Sequence, residues 1–227
     1  MFSIAACGDG KVSQGNLDHY DLARPQKFEL PGVLQEISGI AFTGNSDTIY
    51  TEQDEEGKLF HFKPGDKEIE TTRFAKKGDY EDVTIYKNTV IMLRSDGMLV
   101  TFPLSEANDQ STSNAYEWKT LLPAGEYEAL FADEKTSRVY VLCKKCVCDK
   151  SGKATSGYIF TINDAGGLSA SGRFQINVKE IGAIAGDKKI KFRPSALTRN
   201  LITGEWYVLS SINEMIVIAD QNWIKKK

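Results

Sequence analysis

The chain has 227 residues, a formal charge of −3 from 28 basic and 31 acidic side chains, 41% hydrophobic residues and 26% charged ones. Charge this close to balance excludes the basic face that would hold nucleic acid, and the apolar content excludes a disordered chain. No run approaches the ~20 consecutive apolar residues of a membrane-spanning helix, which leaves a globular domain of good size.

The chain opens Met1-Phe-Ser-Ile-Ala-Ala-Cys-Gly8. Ile4-Ala5-Ala6-Cys7 looks like a bacterial lipobox, an aliphatic residue and two small ones before a Cys that is lipidated. Six residues precede Cys7, with no basic or fully apolar leader among them, so this reading requires a late start or a trimmed signal. The alternative is an accidental Cys in a polar tail. With a lipobox, the mature chain begins at the acylated Cys7. Residues 1–19 are then a lipobox remnant and flexible tether, and 20–227 the folded domain.

From there on, helical periodicity is almost absent. Short apolar or alternating runs rich in Val, Ile, Tyr, Phe and Thr predict strands at 39–42, 48–51, 58–62, 90–93, 98–102, 138–142, 158–162, 205–209 and 215–218. They fall into four units of one plan. The openings are Ile37-Ser-Gly-Ile40, Tyr80-Glu-Asp-Val83, Tyr127-Glu-Ala-Leu130 and Pro194-Ser-Ala-Leu197, each followed by two further strands. Their equivalent residues are Ser38, Glu81, Glu128 and Ser195, spaced by 43, 47 and 67 residues. The third unit is lengthened by an insertion that carries a cysteine cluster. A period of ~45 residues with room for four strands is that of a β-propeller blade. A sandwich or jelly roll would not explain why one motif opens every unit. The expectation is an all-β propeller with four visible blades, each a four-stranded antiparallel sheet.

On these four openings, over residues 20–227, the chain resembles the SdiA-regulated family of bacterial β-propellers, distantly similar to NHL-repeat propellers. The resemblance implies an envelope-attached propeller of about five blades, associated with calcium and with no firmly known activity. The family pattern closes on a further blade. Here the sequence ends on Asp220-Gln-Asn-Trp-Ile-Lys-Lys-Lys227 after the fourth unit, which reads as a truncated frame or fragment. The segment Lys27-Phe-Glu-Leu30 is expected to complete the last blade as an N-terminal strand.

Equivalent positions of inner strands share one height around a propeller's channel. Ser38, Glu81, Glu128 and Ser195 are therefore expected on one ring. Two converging carboxylates repel unless a countercharge offsets them; Ca²⁺, which takes oxygen ligands, would do so. The resemblance supports Glu81 and Glu128 as metal ligands, although the third Glu of the family pattern has no counterpart. The alternative is that both are solvated or paired with Arg94, Lys144 or Arg193. Asp54, Arg94, Asp96, Lys144 and Ser211 follow the second strands and either line one mouth of the channel or are ordinary turn residues.

Cys143-Lys-Lys-Cys146-Val-Cys148 offers a loop disulfide, free thiols or, lacking a fourth ligand, zinc, in that order. An extended strand would hold Cys143 and Cys146 about 10 Å apart, so a bridge requires a turn. His19 lies in the tether and His61 in a strand pattern, which leaves a Ser-His-Asp triad without a realistic base elsewhere. Ser151-Gly-Lys-Ala-Thr155 is similar to part of a phosphate loop, but Ala154 stands where Ser or Thr is needed, and it reads as a mobile turn. Tyr80, Tyr127, Trp118 and Trp206 are expected to pack between blades. The functional expectation is an envelope-anchored binding module, a monomer that takes an envelope protein or small ligand, contacts the membrane only through its lipid and faces the periplasm or surface. The enzymatic alternative is a Ca²⁺-dependent hydrolase of the lactonase, phosphoesterase or phytase kind.

Overall fold

A computed structural model describes residues 24–44, 46–149, 153–220 and 223. Cys7, His19 and the tether lie outside the described residues. Blade 1 comprises β1 (Ile37–Phe42), β2 (Ile49–Gln53), β3 (Lys58–Phe62) and β4 (Glu70–Arg73). Blade 2 comprises β5 (Tyr80–Tyr86), β6 (Thr89–Arg94), β7 (Leu99–Pro103) and β8 (Tyr116–Trp118). Blade 3 comprises β9 (Gly125–Asp133), β10 (Arg138–Cys146), β11 (Ala154–Ile162) and β12 (Leu168–Asn177). A helix α1 (Val178–Ala185) leads to blade 4, which comprises β13 (Ala196–Arg199), β14 (Trp206–Ser210) and β15 (Met215–Ala219). Each sheet is an antiparallel meander in chain order. The first three have four strands, and the fourth has three among the described residues. The first strands lie side by side, β1 beside β5, β5 beside β9 and β9 beside β13. The chain is thus an all-β propeller of four antiparallel blades.

Apolar faces drive this stacking. One core cluster joins blades 1 and 2 around Tyr80, Val83, Met92 and Phe102. A second joins blades 2 and 3 around Ile91, Leu93, Tyr127 and Leu130. A third joins blades 3 and 4 around Tyr140, Leu142, Leu197 and Trp206. A smaller one lies within blade 1, where Leu34 covers Phe60 and Phe62. None of these clusters joins blade 4 to blade 1. The equivalent positions record the consequence. Val83, Leu130 and Leu197 are 2–5% exposed, whereas their counterpart Ile40 is 54% exposed. On the opposite side, Leu93 and Leu142 are fully buried and their counterpart Leu209 is 41% exposed.

The tyrosines and Trp206 pack between blades as expected; Trp118 lies at the edge of the blade 2–3 core. Tyr80 and Tyr127 play one role twice. Each ring is buried and each hydroxyl donates to the carbonyl four residues back, Lys76 at 3.0 Å and Pro123 at 2.7 Å.

Two expectations are corrected. Lys27–Leu30 forms no strand: Phe28 and Leu30 stand 45% and 43% exposed, outside every described sheet. The Ser151–Thr155 stretch is not a turn throughout, because β11 already begins at Ala154. Its Ser151 and Gly152 lie outside the described residues. The strand that follows gives no helix N-terminus for a phosphate to meet.

Candidate functional site

The inner strands of blades 1, 2 and 3 carry an irregularity at the position that opens the repeat, whereas β13 of blade 4 runs in register from Ala196. The β5–β6 register jumps between Tyr80 and Asp82, so Glu81 has no cross-strand partner. The β9–β10 register jumps between Tyr127 and Ala129, isolating Glu128 in the same way. In blade 1 the jump spans Ser38 and Gly39. A bulge adds a residue on one strand and re-aims its side chain. In blades 1 to 3 the repeat opening is therefore a bulge, and in blades 2 and 3 it turns Glu81 and Glu128 out of the alternation that buries their neighbours.

Both glutamates are half-buried. Glu128 pairs with Lys144, on the neighbouring strand β10. Glu81 makes no hydrogen bond or ion pair among the described residues. Burial first, then the charges of Glu128 and Asp79, push its carboxyl up to about 7, against a smaller opposing pull from Lys144. The remaining predicted residues divide into local pairs. Arg94 makes a two-pronged pair with Asp96, at 2.9 and 2.6 Å. The Ser195 and Ser211 hydroxyls share a 2.9 Å hydrogen bond, and the Ser211 N–H also donates to Ser195 Oγ. Arg193 donates to the Lys144 carbonyl at 3.0 Å. Ser38 is exposed. Asp54 keeps a buried Oδ1 with no partner. His61 is half-buried on β3, its Nε2 3.1 Å from the Ala107 carbonyl, and none of the charges that act on Glu81 belongs to it.

Two deeply buried carboxylates beside Glu81 escape a reading of the sequence. Asp82 Oδ2 accepts the Leu130 N–H of blade 3 at 2.6 Å, and Oδ1 accepts the Val83 N–H at 2.8 Å. Burial nevertheless raises its pKa well above the usual aspartate value, against the pull of these two hydrogen bonds. Glu52 Oε1 accepts the Gly39 N–H at 2.6 Å, while Oε2 is buried without a partner. Its pKa is raised by burial and then by Asp82. Gly39 is required between them: a Cβ there would lie 2.4 Å from Asp82 Oδ1 and 2.7 Å from the Asp82 Cα.

Glu52, Glu81, Asp82 and Glu128 thus form an acidic cluster, the charges of Asp82 and Glu81 acting on Glu52 and that of Glu128 on Glu81. Among the described residues, however, no three carboxylates bring oxygens within 4.8 Å of one another. The set that meets this distance is Cys143, Cys146 and Asp149 in blade 3. Cys143 and Cys146 form a disulfide with Cα atoms 5.8 Å apart, and Cys148 is a free thiol. A cleft of about 460 Å³ at the outer part of blades 3 and 4, lined by Arg138, Arg173, Arg199, Trp206 and Trp223, contains none of the predicted site residues.

No family model and no curated protein matches the sequence. Solved structures do match in fold. A chain of the nidogen/laminin complex aligns with TM-score 0.51 at 12% identity, over 77% of this chain and 57% of that one. Glutaminyl cyclase of Myxococcus xanthus aligns with TM-score 0.52 at 14% identity, over 80% of this chain and 71% of that one. A weaker match is the β-propeller domain of Cps50 (Swd1) from Myceliophteria thermophila, TM-score 0.46 at 11% identity, over 80% of this chain and 52% of that one. This chain therefore spans little more than half the length of the first of these. No helix among the described residues is long and apolar enough to cross a membrane.

Proposed function

We propose that this propeller is an envelope-anchored binding module of the SdiA-regulated type whose channel ring takes a calcium ion between Glu81 and Glu128. The observation that carries the reading is Glu81: a half-buried carboxyl aimed by a bulge toward a second one, with no cation of its own. A hard cation bound by oxygens would supply the missing countercharge. Lys144 already serves Glu128, so the ion would share that carboxylate with it. The four repeat openings support the family assignment, and the Ile4–Cys7 pattern supports the anchor. The ligand or envelope partner would meet the mouth formed by Asp54, Arg94, Asp96 and Lys144, with Ser38 and Ser195 beside it.

The test is thermal unfolding of the wild type, Glu81→Gln and Glu128→Gln with Ca²⁺ or with EDTA. Ca²⁺ should raise the midpoint of the wild type and of neither variant, since a ligand stabilises only the state that binds it. Equal shifts in all three, or none in the wild type, would reject the channel site.

A pH dependence accompanies it. The Glu81 pKa rises from the usual 4.5 to about 7 on folding, so between these values the folded chain binds more protons than the unfolded one. Stability in EDTA should then fall as pH climbs from about 4.5 to 7 and level off above that range. Glu81→Gln should remove its share of the slope. A urea midpoint equally steep in that variant would show that another group titrates.

The same value favours one second reading. A carboxylate near neutrality is poised as a general base, so Glu81 beside Ca²⁺ would suit hydrolysis of an ester or phosphoester. A panel of such substrates without EDTA-sensitive turnover would remove this alternative.

A further inference from the structure

We propose that the turn from Cys143 to Asp149 is a redox-gated zinc site, in which the Cys143–Cys146 disulfide is the closed form and the reduced thiolates, with Asp149, hold the ion. It lies outside the channel ring and does not depend on the calcium reading.

The geometry starts with β10. Its register jumps between Leu142 and Cys143 and again between Cys143 and Lys145. These two irregularities shorten the strand end, bringing together sulfurs that an extended strand would keep apart. Both cysteines are buried, at 0% and 5% exposure. The chain then turns back, the Asp149 N–H donating to the Cys146 carbonyl at 3.1 Å. This places an Asp149 carboxylate oxygen within 4.8 Å of both sulfurs. That carboxylate is held in place: Oδ2 accepts the Ser156 N–H at 3.1 Å and Oδ1 accepts the Ser156 hydroxyl at 2.5 Å. Outer hydrogen bonds of this kind orient a metal ligand. Gly125 forms the facing wall, where a Cβ would stand 3.1 Å from each sulfur. Cys148 is at the edge. The Tyr158 hydroxyl lies 3.4 Å from its sulfur and 4.0 Å from that of Cys146, so a rotation of Cys148 offers a fourth ligand.

The donor set selects the ion. Two or three thiolates and one carboxylate are wrong for Ca²⁺ or Mg²⁺, which take oxygens. Sulfur alone would suit Cu(I), and the carboxylate shifts the preference to tetrahedral Zn²⁺. The disulfide and the ion need the same two sulfurs, so each excludes the other. Opening requires a two-electron reductant, for which a dithiol suffices. It supplies two electrons and two protons, becoming a disulfide as Cys143 and Cys146 become thiols. Zn²⁺ then displaces one proton from each thiol it binds.

Co²⁺ is the probe, added to the full chain reduced by a phosphine under argon. One Co²⁺ per chain should give a thiolate-to-cobalt charge-transfer absorption that Zn²⁺ abolishes and that the oxidised chain never shows. Asp149→Asn should weaken binding about tenfold or more, the scale of losses around metal sites. Cys148→Ser should remove one thiolate's share of the absorption. If Asp149→Asn fails to fold by circular dichroism, Ser156→Ala, which unpins the same carboxylate, carries the same expectation. The proposal is overturned if the reduced chain shows no such band, if it binds Co²⁺ no more tightly than the same chain unfolded in urea, or if the carboxylate variant binds as wild type does.

Discussion

Asp82→Ala is expected to lower the unfolding free energy by about 3 kcal/mol, the sum of two buried N–H groups left without an acceptor at roughly 1–3 kcal/mol each. One of these is Leu130 N–H, on the first strand of the next blade, so the substitution cuts a direct link between blades 2 and 3. Thr84 makes a parallel link two residues on, its hydroxyl accepting the Ala132 N–H at 3.1 Å. Asp82→Asn keeps an acceptor oxygen and should cost clearly less than the alanine variant. Urea titrations of the three proteins at one pH check this order. An Asp82→Ala midpoint within error of wild type would mean that the freed N–H groups find other acceptors.

Leu130→Ala and Ile40→Ala form the second comparison, at equivalent positions of blades 3 and 1. Leu130 is 3% exposed in the core between blades 2 and 3, and its truncation should cost about 2–5 kcal/mol. Ile40 is 54% exposed, on a face that no neighbouring blade covers among the described residues, and its truncation should cost less than about 1 kcal/mol. The same side chain class in the same place of the repeat thus has two different energetic weights. Equal losses would show that the face carrying Ile40 is covered in solution, by a second copy or another partner, and dilution of the protein would separate those cases.

The sequence made the second strands of the blades legible and the fourth ones obscure. Runs such as Val90–Leu93 and Arg138–Leu142 lie between two neighbouring sheets and carry apolar side chains on both faces, a signal that needs no context. The fourth strands do not. Glu70–Arg73 buries only Thr72, and Leu168–Asn177 is exposed over five consecutive residues, so neither shows the alternation expected of a half-buried strand. Helix α1 was also hidden, because eight residues are too few for a periodic pattern. The structure shows its ends: Asn177 caps the Lys179 N–H and bonds Glu180, and Gly186 closes the helix at positive φ.

For the candidate site, repeat spacing singled out Glu81 and Glu128 as expectations but gave no reason to look at Asp82 or Glu52. In Tyr80-Glu-Asp-Val83 two acids stand side by side, and only the bulge decides which is aimed out and which is sealed between blades. That is a tertiary fact, since it depends on the inner strand of blade 1 passing against Asp82 at Gly39. The cysteines were limited in the same way. Their spacing allowed a bridge only with a turn, and the two irregularities of β10 supply it.

The bulges at Glu81 and Glu128 separate two kinds of inheritance within one repeat. The residues on either side are answerable to the core: Tyr80 and Val83, Tyr127 and Leu130 are all buried, and a polar substitution there would be lost with the fold. The bulged residue has no paired residue across the ladder, and what its side chain meets differs between copies: Glu128 pairs with Lys144, Glu81 with no side chain among the described residues. It is less constrained than its neighbours, and in this chain the equivalent seats hold Ser, Glu, Glu and Ser, the last of them just before the in-register strand β13. A lineage of such chains can therefore change these residues one at a time while the buried residues on either side keep the blades together.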